Sequence, residues 1–270
     1  MSFALAFQKY VNHPEKHVDI IQYYDKNVVI IRDAYPKSVC HYLVIPRFSE
    51  VTYVNPLDAF NRDYREINGQ ELFDIMEKYV EKAKDLIIAD LQGAFGHKPE
   101  NDLKLSAFKN TFIKAGIHSI PSLKNLHIHV ITRDFQSNCL KNKKHYNSFN
   151  TQFFVEFEKL NPTYNKNYQL NHIINKTSGE DYASDSYDSD DEQLSDEEIA
   201  FKYITHIRNE NILKDIVKSE PLKCSVCNKD FNNKFQDLKK HLNTEYLKKY
   251  NEFEGFYDDK FINYFSALPR

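Results

Sequence analysis

Two kinds of apolar spacing run along this chain. Val28-Val-Ile-Ile-Arg and His41-Tyr-Leu-Val-Ile are short runs rich in β-branched residues, set on either side of Asp33-Ala-Tyr-Pro-Lys-Ser. Such runs around a Pro-containing turn predict an antiparallel hairpin. From Leu72 to Leu91 the spacing changes. Leu72, Ile75, Met76, Tyr79, Val80, Ala83, Leu86, Ile87 and Leu91 fall on one face of a 3.6-residue period, which predicts a long amphipathic helix closed by Gly93 and Gly96. Ser106 to Ile117 and Asn125 to Thr132 are expected as two further strands. Met1-Ser-Phe-Ala-Leu-Ala-Phe reads as one side of a short helix. It is too short for a signal peptide and lacks the basic flank of one. No apolar run reaches the roughly 18 residues that span a bilayer.

The pattern breaks between Thr177 and Ser195, a stretch poor in aliphatic residues. It cannot bury enough surface to offset its ordering entropy, so disorder is expected there. From Glu180 to Glu198 there are ten acids and no Lys or Arg, which changes the meaning of the net charge of −3. Without those ten the chain carries 36 basic against 29 acidic residues. The folded part is therefore expected to be basic, as a phosphate-binding surface needs. Spread evenly, the same excess would be ordinary. It is not even, because Lys141, Lys143, Lys144 and His145 cluster, as do Lys234, Lys239 and Lys240. The organisation expected is a first domain over 1–170, an acidic insertion over 175–199 and a C-terminal domain over 200–270. Four cysteines, two of them alone, are not a disulfide framework and point to a reducing compartment.

Candidate chemistry concentrates in Asn125-Leu-His-Ile-His-Val-Ile. In a strand, residues two apart share a face, so His127 and His129 point one way and Leu126, Ile128 and Val130 the other. A neutral imidazole has a free ring nitrogen that can attack phosphorus, bind metal or move protons. A structural histidine pair at a strand end has the same local pattern. His118 and Ser122, just upstream beside Pro121, tilt the reading toward a site.

A second constellation is Cys224-x-x-Cys227, followed by Phe231, Leu238, His241 and Glu245. Two cysteines on a turn and two donors four apart on a helix form a small zinc module, with Phe231 and Leu238 as its miniature core. So short a segment needs the metal to fold. Glu245 stands where a second His is usual. A carboxylate is an acceptable zinc ligand; the alternatives are water as the fourth ligand and no zinc at all.

The run at 125–131 resembles the histidine-triad motif, with Asn125 in place of its first His. The wider blocks narrow the likeness: Tyr35-Pro-Lys-Ser-Val-Cys-His-Tyr-Leu-Val-Ile-Pro, His118-Ser-Ile-Pro-Ser-Leu and Cys139-Leu-Lys-Asn-Lys-Lys-His-Tyr-Asn-Ser-Phe-Asn-Thr. Together with the metal motif they resemble the aprataxins, the DNA-adenylate hydrolase branch of that superfamily. The likeness is to the fungal type, without the N-terminal phosphopeptide-binding domain of animal members.

That resemblance implies an α+β fold, a histidine-triad antiparallel sheet with helices, plus a C-terminal zinc finger. The finger is expected to favour a monomer. It implies removal of AMP from 5′-adenylated DNA ends through a covalent His127–AMP. His118 would be the general acid, with Lys37, His129 and Ser122 on the phosphoryl oxygens. Asp33 would take the ribose hydroxyls, Tyr35 the adenine, and Phe3 the terminal base pair. Lys141 and Lys144 would contact the DNA backbone. Asn125 would hold the nucleophile's other ring nitrogen. One structural zinc and no catalytic metal are implied, with a nuclear location. Asp33 as a turn cap, Tyr35 as plain packing and Lys37 as a solvated turn lysine are the alternatives at those positions. Two other functions remain open: a hydrolase of small nucleotides or RNA caps, and a non-catalytic binder of DNA ends.

Overall fold

In a computed structural model of the chain, the described residues are 5–95, 102–163 and 208–252. The acidic insertion expected over 175–199 and Phe3 lie outside them. Six strands form one antiparallel sheet in the order β1-β2-β3-β5-β4-β6. They are β1 (Ile21–Tyr24), β2 (Val28–Arg32), β3 (His41–Pro46), β4 (Ile113–His118), β5 (Ile128–Thr132) and β6 (Phe154–Glu156). The expected hairpin is present as β2–β3, with Val28 opposite Pro46 and Arg32 opposite Tyr42.

Helix α1 covers Gln8–Asn12 and α2 covers Gly69–Phe95. A capping box starts α2: Asn68 Oδ1 accepts from the Glu71 amide at 2.9 Å, and Glu71 Oε2 accepts from the Asn68 amide at 3.0 Å. Helix α2 lies across β3 and β5. It buries Leu72, Phe73, Met76, Tyr79, Val80, Ala83, Ile87, Ile88 and Leu91, each apolar side chain contributing about 1.5–3 kcal/mol when large and fully covered. The sheet answers with Val28, Ile30, Tyr42, Val44, Ile128 and Val130 in the same cluster. Gly93 does not stop the helix, which runs on to Phe95.

The strand expected over Ser106–Ile117 is split. Helix α3 covers Asp102–Phe112, and only Ile113–His118 is strand. The cause is legible in the burial. Ser106 and Ala107 are exposed, Phe108 is buried, Asn110 and Thr111 are exposed, and Phe112 is buried. That is a period near four, and the two Phe rings meet at 4.7 Å on one helix face. Likewise β5 begins at Ile128, so Asn125–His127 is a turn leading into it.

The other face of the sheet divides in two. At the β1–β2–β3 end, Val11 of α1 packs with Ile21, Val29, Ile31, Leu43 and Ile45. At the β5–β4–β6 end sits α4 (Lys143–Asn150), capped by Asn142, whose side chain accepts from the His145 amide. Helix α5 (Glu210–Ser219) packs against α4. A turn over the two cysteines and α6 (Phe235–Glu252) follow. Leu222, Cys224, Leu238, Leu242 and Tyr246 join the main core cluster. The C-terminal segment is also tied by polar bonds: Tyr146 Oη to the Lys223 carbonyl at 2.9 Å, Asn147 to the Val217 and Glu220 carbonyls, and Lys239 to the Ser137 carbonyl at 2.9 Å.

Candidate active site and metal group

The register of three strands builds the histidine cluster. Gly116 on β4 stands opposite His129 on β5, and Leu43 on β3 stands on the other side of it. Side chains two apart share a face, so His41, His129, Gly116 and His118 all look away from α2. Gly116 has no side chain, and the space beside His129 lets the His118 ring approach to 4.5 Å. A Cβ at Gly116 would lie 2.3 Å from the Val155 carbonyl oxygen and 2.5 Å from the Phe154 ring. His127 enters from the turn before β5 and brings its ring to 4.9 Å from His129. The shared side of His127 and His129 is thus as expected. Phe149 of α4 covers the group, at 4.6 Å from His118, 5.3 Å from His129 and 5.6 Å from His41.

Hydrogen bonds fix the protons. His127 Nδ1 lies 2.7 Å from the Asn125 carbonyl oxygen, so it must carry hydrogen, and Nε2 keeps a free lone pair. The Asn125 side chain was expected at that ring nitrogen. Its backbone carbonyl takes the place instead, because the side chain turns away to Gln8, donating to Gln8 Oε1 at 3.1 Å. His129 Nδ1 and His41 Nε2 are 2.9 Å apart. At the far side of His41, Nδ1 is 3.3 Å from Asp33 Oδ2 and 3.4 Å from the Lys37 amide nitrogen. When that nitrogen carries hydrogen it donates to Asp33, and His129 donates to His41, leaving His129 Nε2 bare. When it accepts from Lys37, each proton moves one place and His129 Nε2 becomes a donor.

Asp33, His41 and His129 each place one donor atom within 4.8 Å of the others. Opposite nitrogens of His41 face the two partners, which is the arrangement of a hydrogen-bonded chain rather than of a shared ion. The Nε2 atoms of His118 and His129 are both buried and have no partner among the described residues. Orphaned buried nitrogens are costly, and two of them on rings 4.5 Å apart mark a spot that a ligand would complete.

Burial dominates the electrostatics. It pushes His41 down to about 4 and lowers His127. It holds His118 and His129 well below the usual imidazole range, with the neighbouring histidines and Lys37 adding to the effect. All four are neutral near pH 7 in the free protein. Burial also lowers Lys37, partly offset by Asp33.

The other expected residues are less uniform. Asp33 caps its turn, Oδ1 accepting from the Tyr35 amide at 2.8 Å. Lys37 folds back, its Nζ donating to the Tyr35 carbonyl. Tyr35 is 67% exposed and belongs to neither apolar cluster. Ser122 is exposed on the loop between β4 and β5, and none of its contacts ties it to the histidines. Lys141 and Lys144 are exposed at the start of α4, whereas Lys143 is taken up by the Ser219 carbonyl and Asn233 Oδ1. His41 was read only as the head of a strand. Its signal was present, since it opens the strand partnering the histidine strand, but only the register places the two rings together. Gln8 and Phe7 gave no signal. Phe7 meets the His127 ring edge-on at 5.3 Å.

At the C-terminal end, Cys224, Cys227 and His241 place their donor atoms within 4.8 Å of one another. Cys227 Sγ is 3.2 Å from His241 Nε2, and Glu245 Oε1 is 3.7 Å from the same nitrogen. The Val226 amide donates to Cys224 Sγ at 3.4 Å, orienting the sulfur. Residues before and after the cysteines pair as a bridge, Lys223 with Asp230, and Asn228 closes the turn with φ 58°. Two sulfurs, an imidazole and a carboxylate on a turn and one helix face could hold a metal ion.

Residues 4–145 match the family described as the scavenger mRNA decapping enzyme C-terminal binding region. The aprataxin-like protein of Saccharomyces cerevisiae is 35% identical over 257 residues, 91% of this chain and 97% of that one. A crystal structure of the aprataxin ortholog Hnt3 in complex with DNA superposes with a TM-score of 0.63 at 26% identity, covering 97% of this chain and all of that one. A structure of Hnt3 with DNA and guanosine gives 0.65, over 93% of this chain and 99% of that one. The match over most of both chains, at this identity and length, means that the chain belongs to the aprataxin-like family of histidine-triad proteins.

Proposed function

We propose that this chain is a DNA-repair hydrolase that removes AMP from 5′-adenylated DNA ends. The observation that carries the reading is the set of ring nitrogens. His127 has Nδ1 tied to a carbonyl and Nε2 free, beside two orphaned Nε2 atoms on His118 and His129. A free lone pair flanked by two unfilled polar positions suits in-line attack on a phosphoryl group. The Hnt3 structures bound to DNA, one also with guanosine, support nucleic acid as the substrate class.

In the first step His127 Nε2 attacks the α-phosphorus, a P–N bond forms, and the P–O bond to the DNA 5′-phosphate breaks. His118 supplies the proton to the departing oxygen. Free His118 is held neutral by burial, and the negative charge of the substrate raises its proton affinity as it docks. Phosphoryl oxygens draw the His41–His129 pair into the arrangement in which His129 Nε2 donates. In that arrangement the Lys37 amide donates to His41 Nδ1, which frees Asp33 to accept from ribose hydroxyls. Lys37 Nζ reaches the phosphoryl oxygens by releasing the Tyr35 carbonyl. Water then attacks phosphorus, a P–O bond forms as the P–N bond breaks, His118 takes the water proton, and AMP leaves with His127 neutral again. Ser122 joins by movement of its loop, and Tyr35 offers its exposed ring to adenine.

Lys141 and Lys144 present positive charge beside the cluster for the DNA backbone, with binding that weakens as salt rises. The Cys224, Cys227, His241 and Glu245 group holds one zinc ion, which fastens the cysteine turn to α6. The chain acts as a monomer in the nucleus, where such DNA ends arise.

A second reading has a specific support, the match of residues 4–145 to a decapping-enzyme region, and would make the substrate a small nucleotide or RNA cap. One assay separates the two. AMP release is measured from a nicked duplex with a 5′-adenylate, beside a diadenosine polyphosphate and an adenosine phosphoramidate. Strong preference for the nick is expected, and equal or better turnover of the small substrates overturns it. His127→Ala is expected to abolish release and leave DNA affinity nearly intact. Turnover by that variant would remove His127 as the nucleophile.

A further inference from the structure

The turn that carries His127 is held from outside the sheet. Asn125 is fully buried, and its Oδ1 has no partner among the described residues. Its Nδ2 donates to Gln8 Oε1 on α1 at 3.1 Å, and its carbonyl is the acceptor that fixes His127 Nδ1 at 2.7 Å. One residue thus joins the nucleophile to α1 through two of its polar groups.

Gln8 is the meeting point of several bonds. Its Oε1 also accepts from the Tyr53 hydroxyl, and its Nε2 donates to Asn12 Oδ1 at 2.8 Å. The turn that bears Tyr53 is fastened to the same place, because the Leu126 amide donates to the Thr52 carbonyl at 2.7 Å. Phe7, next to Gln8, rests edge-on against the His127 ring. The far end of α1 is anchored separately, by Val11 in the apolar cluster and by Arg47 Nε on the Val11 carbonyl at 3.0 Å. Helix α1 is therefore a strut, fixed to the sheet at one end and holding the nucleophile's turn at the other.

We infer that Gln8 is a positioning residue for His127, acting through the side-chain amide of Asn125. The inference rests on His127 being the attacking group. The acceptor bond to Asn125 holds the Asn125 carbonyl where it faces Nδ1, and so keeps the lone pair on Nε2 aimed at phosphorus. A small misalignment of an attacking atom lowers the rate without weakening binding.

The test compares Gln8→Leu, which removes the acceptor, with Gln8→Glu, whose carboxylate still accepts from Asn125 and Tyr53. With adenylated nicked DNA, Gln8→Leu is expected to lower kcat by about tenfold with KM within about twofold, and Gln8→Glu to restore most of the rate. In an Asn125→Leu background, Gln8→Leu should add no further loss, as expected for two groups acting in series. Unchanged kcat in Gln8→Leu, equal losses in both Gln8 variants, or losses that multiply with Asn125→Leu overturn the inference. A readout without substrate keeps it separate from the proposed reaction. Nitrogen-15 spectra of the imidazoles should show His127 protonated at Nδ1 in the parent and in Gln8→Glu, with mixed tautomers in Gln8→Leu. If the parent chain releases no AMP from DNA, the proposed function fails, and these spectra still decide the role of Gln8.

Discussion

The burial of His41 should be measurable as a proton. His41 is 3% exposed and its imidazole is pushed from 6.5 down to about 4, chiefly by loss of solvent and further by Lys37 and His127, against the attraction of Asp33. In the unfolded chain the same ring titrates near its ordinary value. As pH falls from 6.5 toward about 4, the unfolded state takes up a proton that the folded state refuses. Stability is therefore fully present above the unfolded value and is lost as pH falls. At about pH 5 this one ring costs about 2 kcal/mol, each pH unit below the unfolded value being worth about 1.4 kcal/mol. His118, His127 and His129 are shifted in the same direction and add to the slope. Buried Lys114, lowered to about 7, acts in a separate window at higher pH.

The perturbation is His41→Gln, which keeps a polar side chain and removes the titrating group. Urea unfolding is measured for parent and variant at about pH 7.5 and about pH 5. Groups distant from His41 contribute equally in both proteins, so the difference of differences isolates His41. The stability lost between the two pH values should be smaller in the variant by about 2 kcal/mol. Parallel loss in both proteins would refute the claim that His41 is buried neutral beside His129.

Two further outcomes follow from the geometry. Gly116→Ala places a methyl against the Val155 carbonyl and the Phe154 ring, so β6 must shift or β4 must bend. A loss of about 1–3 kcal/mol is expected by denaturation, together with reduced AMP release, because the same shift moves His118. Chelation, or Cys227→Ser, should release one zinc per chain by elemental analysis. It should also expose the α4–α5 side to proteolysis while the β2–β3 hairpin stays protected in hydrogen exchange. Retention of protection at α6 without metal would count against a structural ion.

The local parts of this protein were readable in its amino acids. The β2–β3 hairpin follows from β-branched runs around Asp33 to Ser38, and α2 from one apolar face held over many turns. His127 and His129 share a side although only His129 lies in β5, and the cysteine turn with His241 follows from fixed ligand spacing. These signals are local because the backbone's own periods and a metal's donor geometry create them. Where local spacing was ambiguous it misled. Phe108 and Phe112 fit one face of either element, and only the exposed Asn110 and Thr111 between them show the helix.

What the tertiary structure alone decided is which distant residues meet the nucleophile. His41 reaches His129 across 88 positions, and Gln8 reaches Asn125 across 117. Gly116 matters because register sets it opposite His129, and Phe149 because α4 folds over the cluster. Asn125 shows the limit most directly. Its identity was visible, but whether its side chain or its carbonyl holds His127 depended on an acceptor from α1. Periodicity orders neighbours along an element and carries no information about partners brought there by strand pairing. Those contacts come from the free energy of the whole sheet and its packed helices, to which no single segment holds the key.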